Sequence, residues 1–160
     1  MATAKQDLGR LGEELVVKHC PCPRCKRDRT LKRLPSNFKC ADIICDFCGY
    51  LAQVKAQTTK NAGSLPRTVL GAAWSVQNER MAAGIYFPLF LVLVQTPRLF
   101  AIHYLSADLQ PREMFVPRKA LSAEARRAGW QGFMYDLSHV SPGAIVRIAS
   151  RGLILPYNTR

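Results

Sequence analysis

The sequence predicts a mixed α/β domain carrying an inserted four-cysteine metal site, and three observations predict it. An apolar stripe at helical spacing opens the chain, a continuous apolar run from Phe87 to Val94 has the character of a buried strand, and all six cysteines fall between Cys20 and Cys48. With 160 residues, 48% of them apolar, the chain is the size of one domain with a sizeable core. A single domain over 1–160 is therefore expected, with a metal-binding subregion at 20–49.

Taken in order, Lys5 to His19 predicts a helix, with Leu8, Leu11 and Leu15 on one stripe. Cys20 to Asn37 is rich in Cys, Lys and Arg, carries Pro21, Pro23 and Pro35, and is expected as loop. Phe38 to Lys55 suggests two short strands around a turn. Thr58 to Pro66 is polar and irregular, and Thr68 to Met81 is expected as a second helix. Tyr86 to Gln95 is the buried strand, with Arg98 to Leu105 as its hairpin partner. Ser122 to Ala128 suits a short helix, and Gly143 to Ile148 and Gly152 to Leu155 suit late strands. No internal repeat or low-complexity linker interrupts the series.

Lys and Arg number 23 against 11 Asp and Glu, a net charge of +12. A surplus of that size points to a polyanionic partner, because phosphate neutralisation releases condensed counterions; the plainer alternative is a soluble basic protein. The N-terminus MATAKQDLGR has no apolar signal-peptide core, and the run ending at Val94 is too short to span a bilayer. A cytoplasmic location without a membrane partner is expected, and with it reduced thiols, so that clustered cysteines suggest metal ligation before disulfides.

Cys22 and Cys25 (CPRC) and Cys45 and Cys48 (CDFC) are separated by nineteen residues, the spacing of two knuckles closing one tetrahedral zinc site. Four thiolates leave zinc no open position, so the site is expected to be structural. Gly49 directly after Cys48 suits a knuckle turn that needs positive φ. Cys20 and Cys40 are spare, and spacing alone leaves open whether either of them, or His19, contributes.

The second knuckle interrupts another pattern. Asp42 precedes it and Gln53-Val54-Lys55 follows it; residues two apart on a strand face the same way, and a hairpin would bring Asp42 beside them. A carboxylate and a neutral oxygen suit Mg2+, which polarises a phosphate and activates water, while a lysine stabilises the charge that develops. Glu13, on the first helix, is a candidate further carboxylate. Taken alone this pattern equally describes a solvated surface hairpin.

Gly9, Gly12 and Glu13 on a helix, then Asp42, then Gln53-Val54-Lys55, resemble the PD-(D/E)xK nuclease superfamily. The order CPRC, Ala41-Asp42, CDFC and Gln53-Val54-Lys55 is similar to that of the DpnI-like restriction endonucleases within it. The later segments GAAWSVQNERMAA, YFPLFLVLV, VPRKAL and ARRAGWQG followed by DLS extend the likeness from about Arg10 to Ile148. The resemblance implies a restriction-endonuclease-like mixed sheet flanked by helices. It also implies a type II-like endonuclease hydrolysing double-stranded DNA, with adenine-methylated sites as the implied target. Asp42, Gln53, Lys55 and Glu13 would be catalytic, Mg2+ would sit on Asp42 and Gln53, and Zn2+ on the four cysteines. The family pattern has a glutamate where this chain has Gln53, although Gln-x-Lys versions occur in related nucleases. A separate winged-helix domain has no room in these residues.

Lys60, Arg67, Arg80, Arg126, Arg127 and Trp130 are candidate DNA contacts, with a solvated face, or a core anchor for Trp130, as the plainer alternative. Lys26, Arg27, Arg29, Lys32 and Arg33 suit phosphate grip without sequence preference. His103 and His139 stand alone and receive no role. Two other functions fit the same residues: a structure-selective repair or junction nuclease, and a catalytically silent zinc-dependent DNA-binding module.

Overall fold

The computed structural model describes residues 3–120, 122–124 and 131–153. Helix α1 (Ala4–His19) begins at Thr3, whose side chain accepts from the Gln6 amide while the Gln6 side chain accepts from the Thr3 amide, a complete capping box. Strands β1 (Leu31–Arg33), β2 (Ile43–Cys45) and β3 (Leu51–Thr58) follow, then β4 (Thr68–Ala73) and helix α2 (Trp74–Ala82). Strands β5 (Leu89–Thr96) and β6 (Leu99–Leu105) form a hairpin, and β7 (Phe115–Pro117), β8 (Gly132–Asp136) and β9 (Val146–Arg151) complete the order.

Six strands make one mixed sheet in the order β1-β2-β3-β5-β6-β9, parallel only between β3 and β5. Strands β4, β8 and β7 make a second, antiparallel sheet. The register assigns each side chain to a face. Phe90, Val92 and Val94 of β5 join Val54, Ile102, Leu15 and Val16 in the core beneath α1, whereas Leu89, Leu91 and Leu93 join Val69, Phe133 and Tyr135 beneath the second sheet. Strand β5 is thus buried on both faces, which is why its sequence is apolar without alternation.

Gly12 lets α1 lie close on β3: a Cβ there would stand 2.7 Å from the Ala56 Cβ. The other face of the large sheet is covered by the small sheet together with α2, where a helix layer was expected. The segment Thr68–Met81 corrects a second expectation, because only its latter part is helical. Thr68 and Val69 are β-branched, and Phe133 of β8 packs over Gly71, where an added Cβ would meet the ring at 2.5 Å. The segment 20–37, expected as loop, contributes the three-residue strand β1. Gly152 and Leu153 lie outside β9, and Ser122 to Ala128 falls only in part within the described residues. Among the described residues no helix is long and apolar enough to cross a membrane.

Candidate active site and metal centre

The two CxxC segments fold as near-identical knuckles. In the first, the Lys26 amide donates to the Cys22 carbonyl and the Cys22 amide to the Arg27 carbonyl; in the second, Gly49 donates to Cys45 and Cys45 to Tyr50. The residue after each second cysteine takes the left-handed conformation, Gly49 at φ 71° as expected, and Lys26 at φ 62°. A lysine there carries a steric penalty that glycine avoids. Lys26→Gly is expected to raise stability by about 1 kcal/mol, measured as a shift of the urea midpoint at constant slope.

The four sulfurs lie within 4.8 Å of one another, with Cys22 3.6 Å from Cys48 and Cys25 3.7 Å from Cys45. A tetrahedral ion with metal–sulfur bonds of about 2.3 Å requires sulfur–sulfur edges of about 3.8 Å, so the cage fits a metal such as zinc closely. The observed separations are far longer than the roughly 2.05 Å of a disulfide bond, and no disulfide joins the four. Burial pushes the Cys22 thiol up to about 12. Against the same desolvation, hydrogen bonds from Thr30 and from the Cys48 and Phe47 amides bring Cys45 down to about 6. Cys20 is buried in the core, Cys40 is exposed, and His19 packs on the Phe100 ring at 5.1 Å; none belongs to the cage. The cage is continuous with the main core, since Cys22, Cys45, Leu31 and Tyr50 are buried in one cluster.

Strand β2 leads from Asp42 into the second knuckle and β3 returns from it. Their pairing places Ile43 opposite Ala52, and the Asp42 amide donates to the Ala52 carbonyl. The Asp42 Oδ2 accepts from the Val54 amide at 2.7 Å, which fixes the carboxylate against β3. Gln53 and Lys55 pair with Leu89 and Leu91 and so share the face turned toward the small sheet. Asp42, Gln53 and Lys55 line one open cavity of about 300 Å³, with Phe133 and Tyr135 of β8 and Val76, Gln77 and Arg80 of α2.

Tyr135 is the residue that sequence reasoning missed. Its buried hydroxyl donates to Gln53 Oε1 at 3.4 Å, and the Gln53 amide nitrogen donates to the Cys40 carbonyl at 3.4 Å, so the amide is oriented from both ends. Burial, and then the Asp42 carboxylate, push the Tyr135 phenol well above its ordinary value, so the hydroxyl remains a donor. Arg80 reaches from α2 to the Lys39 carbonyl at 2.5 Å and lies 5.8 Å from the Phe87 ring.

Glu13 is set apart from this cavity. Arg33 donates to its Oε2 at 2.8 Å, and it lines a neighbouring groove, with Asp42 the functional candidate common to both spaces. Of the candidate DNA contacts, Lys60 is exposed, Arg67 lies 3.8 Å from Asp136, and Arg80 lines the cavity. Arg126, Arg127 and Trp130 lie outside the described residues. His103 is buried without a partner for Nδ1, and burial, with Arg147, draws its pKa down to about 4. It is not among the residues that line the cavity.

A basic α/β protein with a four-thiol cage and a cavity that gathers Asp42, Gln53 and Lys55 is the class that fold and composition define. The sequence matches the family model described as "DpnI: Dam-replacing family" over residues 2–159. The chain belongs to that family, and the membership implies a restriction-type endonuclease acting on DNA.

Proposed function

We propose that the chain is a divalent-metal-dependent endonuclease of the PD-(D/E)xK fold, cutting double-stranded DNA site-specifically in the manner of type II enzymes, with adenine-methylated sites as its target. The observation that carries this reading is the meeting of Asp42, Gln53 and Lys55 on one cavity wall in a chain of net charge +12. Zn2+ is assigned to Cys22, Cys25, Cys45 and Cys48 as a structural ion.

The oxygen donors suit Mg2+, which keeps several waters and takes only one or two carboxylates from a protein. Asp42 and the Gln53 amide oxygen would hold it. When bound, the ion supplies Lewis acidity and a water of lowered pKa. Tyr135 and the Cys40 carbonyl keep the Gln53 amide in register, and Val54 keeps the Asp42 carboxylate against the strand. Lys55 stands on the same strand face as Gln53, where its ammonium meets the charge that builds on the phosphate oxygens. Arg80 adds a second cation at the cavity wall.

Incubation with Mg2+ and plasmid from adenine-methylating and non-methylating hosts tests the reading. Discrete bands from methylated plasmid alone are expected. Nicking irrespective of methylation would favour a structure-selective nuclease, and intact plasmid a silent DNA-binding module.

A further inference from the structure

We infer that the tip of the paired knuckles is a second DNA-holding surface, in which Phe47 and Arg27 enter the minor groove while Lys26 and Arg29 grip flanking phosphates. The inference rests on the reading of the chain as a DNA nuclease. It starts from Phe47, which is 56% exposed and carries the Arg27 guanidinium 3.6 Å above its ring. An exposed aromatic ring capped on one face by a cation suits a minor groove, the ring's open face against the base edges and the cation in the negative potential.

The backbone supplies a second, independent observation. Among the described residues only Lys26 and Arg29 are non-glycine residues at positive φ, at 62° and 59°. Both are exposed cations in the same loop, and Lys26 occupies the knuckle position that Gly49 fills in the other half. A long cationic side chain held in a conformation that favours glycine is what a charge kept for binding looks like. Segment 22–33 contains Arg24, Lys26, Arg27, Arg29, Lys32 and Arg33 against the single acid Asp28. Not all of these are free: Arg33 pairs with Glu13 and Glu14, and Lys32 lies 3.8 Å from Asp46. The cations left for a partner are those at the tip.

The register connects this tip to the cavity. Lys32 pairs with Ile44, which pairs with Leu51, so Lys32 lies on the sheet face that also carries Gln53 and Lys55, and its ammonium reaches the Arg29 carbonyl at 3.2 Å. At about 3.3 Å per residue, β2 and the knuckle put the tip about 15 Å from Asp42. Along a duplex rising 3.4 Å per base pair, that is about four or five base pairs from the scissile phosphate.

The test uses Asp42→Asn as a non-cleaving background, with Phe47→Ala, Lys26→Gly and Arg27→Ala/Arg29→Ala introduced into it. Binding to a 30-base-pair duplex is measured across a salt series, with hydroxyl-radical footprints and zinc content for each variant. Phe47→Ala should bind about tenfold more weakly at an unchanged salt slope, and lose protection four or five base pairs from the centre of the footprint. The double arginine variant should lower the slope by about 1, for the Arg29 phosphate contact, and lose the same footprint protection as Phe47→Ala; Lys26→Gly should lower the slope by about 1 while gaining stability. Parent-like affinity, slope and footprint in all three variants overturn the knuckle surface alone. Absence of salt-dependent binding in Asp42→Asn itself overturns the nuclease reading with it.

Discussion

Stripping the metal from the four-cysteine cage is expected to unfold the protein. Binding of a structural zinc is worth roughly 10 kcal/mol or more, which is comparable to the whole stability of a typical domain at about 5–15 kcal/mol. The cage is not an appendage that could melt by itself. Cys22 and Cys45 are fully buried and share one core cluster with Leu31 and Tyr50, and Cys45 is the last residue of β2, the strand that Asp42 enters. Without the ion, four thiols within 4.8 Å have only weak contacts with one another, and thiolates there would repel. Cys45→Ser should therefore lower the thermal midpoint far more than Cys40→Ser, since Cys40 is exposed and outside the cage. Metal content together with thermal melts of the two variants and of chelator-treated protein checks this. Less than about half an equivalent of zinc in the purified protein, or a melt that ignores the chelator, would count against the assignment.

What the sequence made legible follows the range of the interactions involved. The helix α1, the β5–β6 hairpin and the knuckles are local, and each carries its own signal: an apolar stripe, an apolar run followed by a turn, a pair of CxxC motifs. Gly49 was readable for the same reason, because a knuckle turn demands its conformation within a few residues. Lys26 was not, since nothing in its residue type announces a left-handed backbone. The small sheet was invisible as a sheet. Strand β4 pairs with β8, which lies some sixty residues later in the chain, and β7 and β8 are too short and too irregular in pattern to stand out. That distance also hid part of the candidate site. Asp42, Gln53 and Lys55 lie on neighbouring strands and follow from alternation and a hairpin, but Tyr135 reaches Gln53 only through the pairing of β8 with β4. Glu13 shows the limit from the other side: the sequence placed it on the right helix and gave no sign that Arg33 would pair with it.

Asp42→Asn is expected to reduce cleavage by at least about a hundredfold while leaving the fold in place, and Lys55→Ala to do the same. Asparagine is a better probe than alanine because Asp42 has a structural duty as well. Its Oδ2 accepts from the Val54 amide, and Asp42→Ala would leave that donor without its partner at a cost of about 1–3 kcal/mol, mixing instability with lost chemistry. An amide oxygen at position 42 can still accept from Val54, so only the charge that would hold Mg2+ is removed. Lys55 has no such duty among the described hydrogen bonds, and its loss should fall on the rate and not on the melting midpoint. Gln53→Glu then separates metal binding from positioning. A carboxylate in place of the amide should lower the Mg2+ concentration needed for half-maximal cleavage, because a charged oxygen is the better ligand for a hard cation. The same change converts the donor facing the Cys40 carbonyl at 3.4 Å into a second acceptor, so the tighter metal should come with a looser side chain and no proportional gain in maximal rate. Mg2+ titrations of single-turnover cleavage for the parent and the three variants, each checked by thermal melt, decide the matter. Full cleavage by Asp42→Asn would place the chemistry elsewhere in the chain. An unchanged Mg2+ requirement in Gln53→Glu would remove residue 53 from the ligand set and leave Asp42 as the one carboxylate among the described residues that line the cavity.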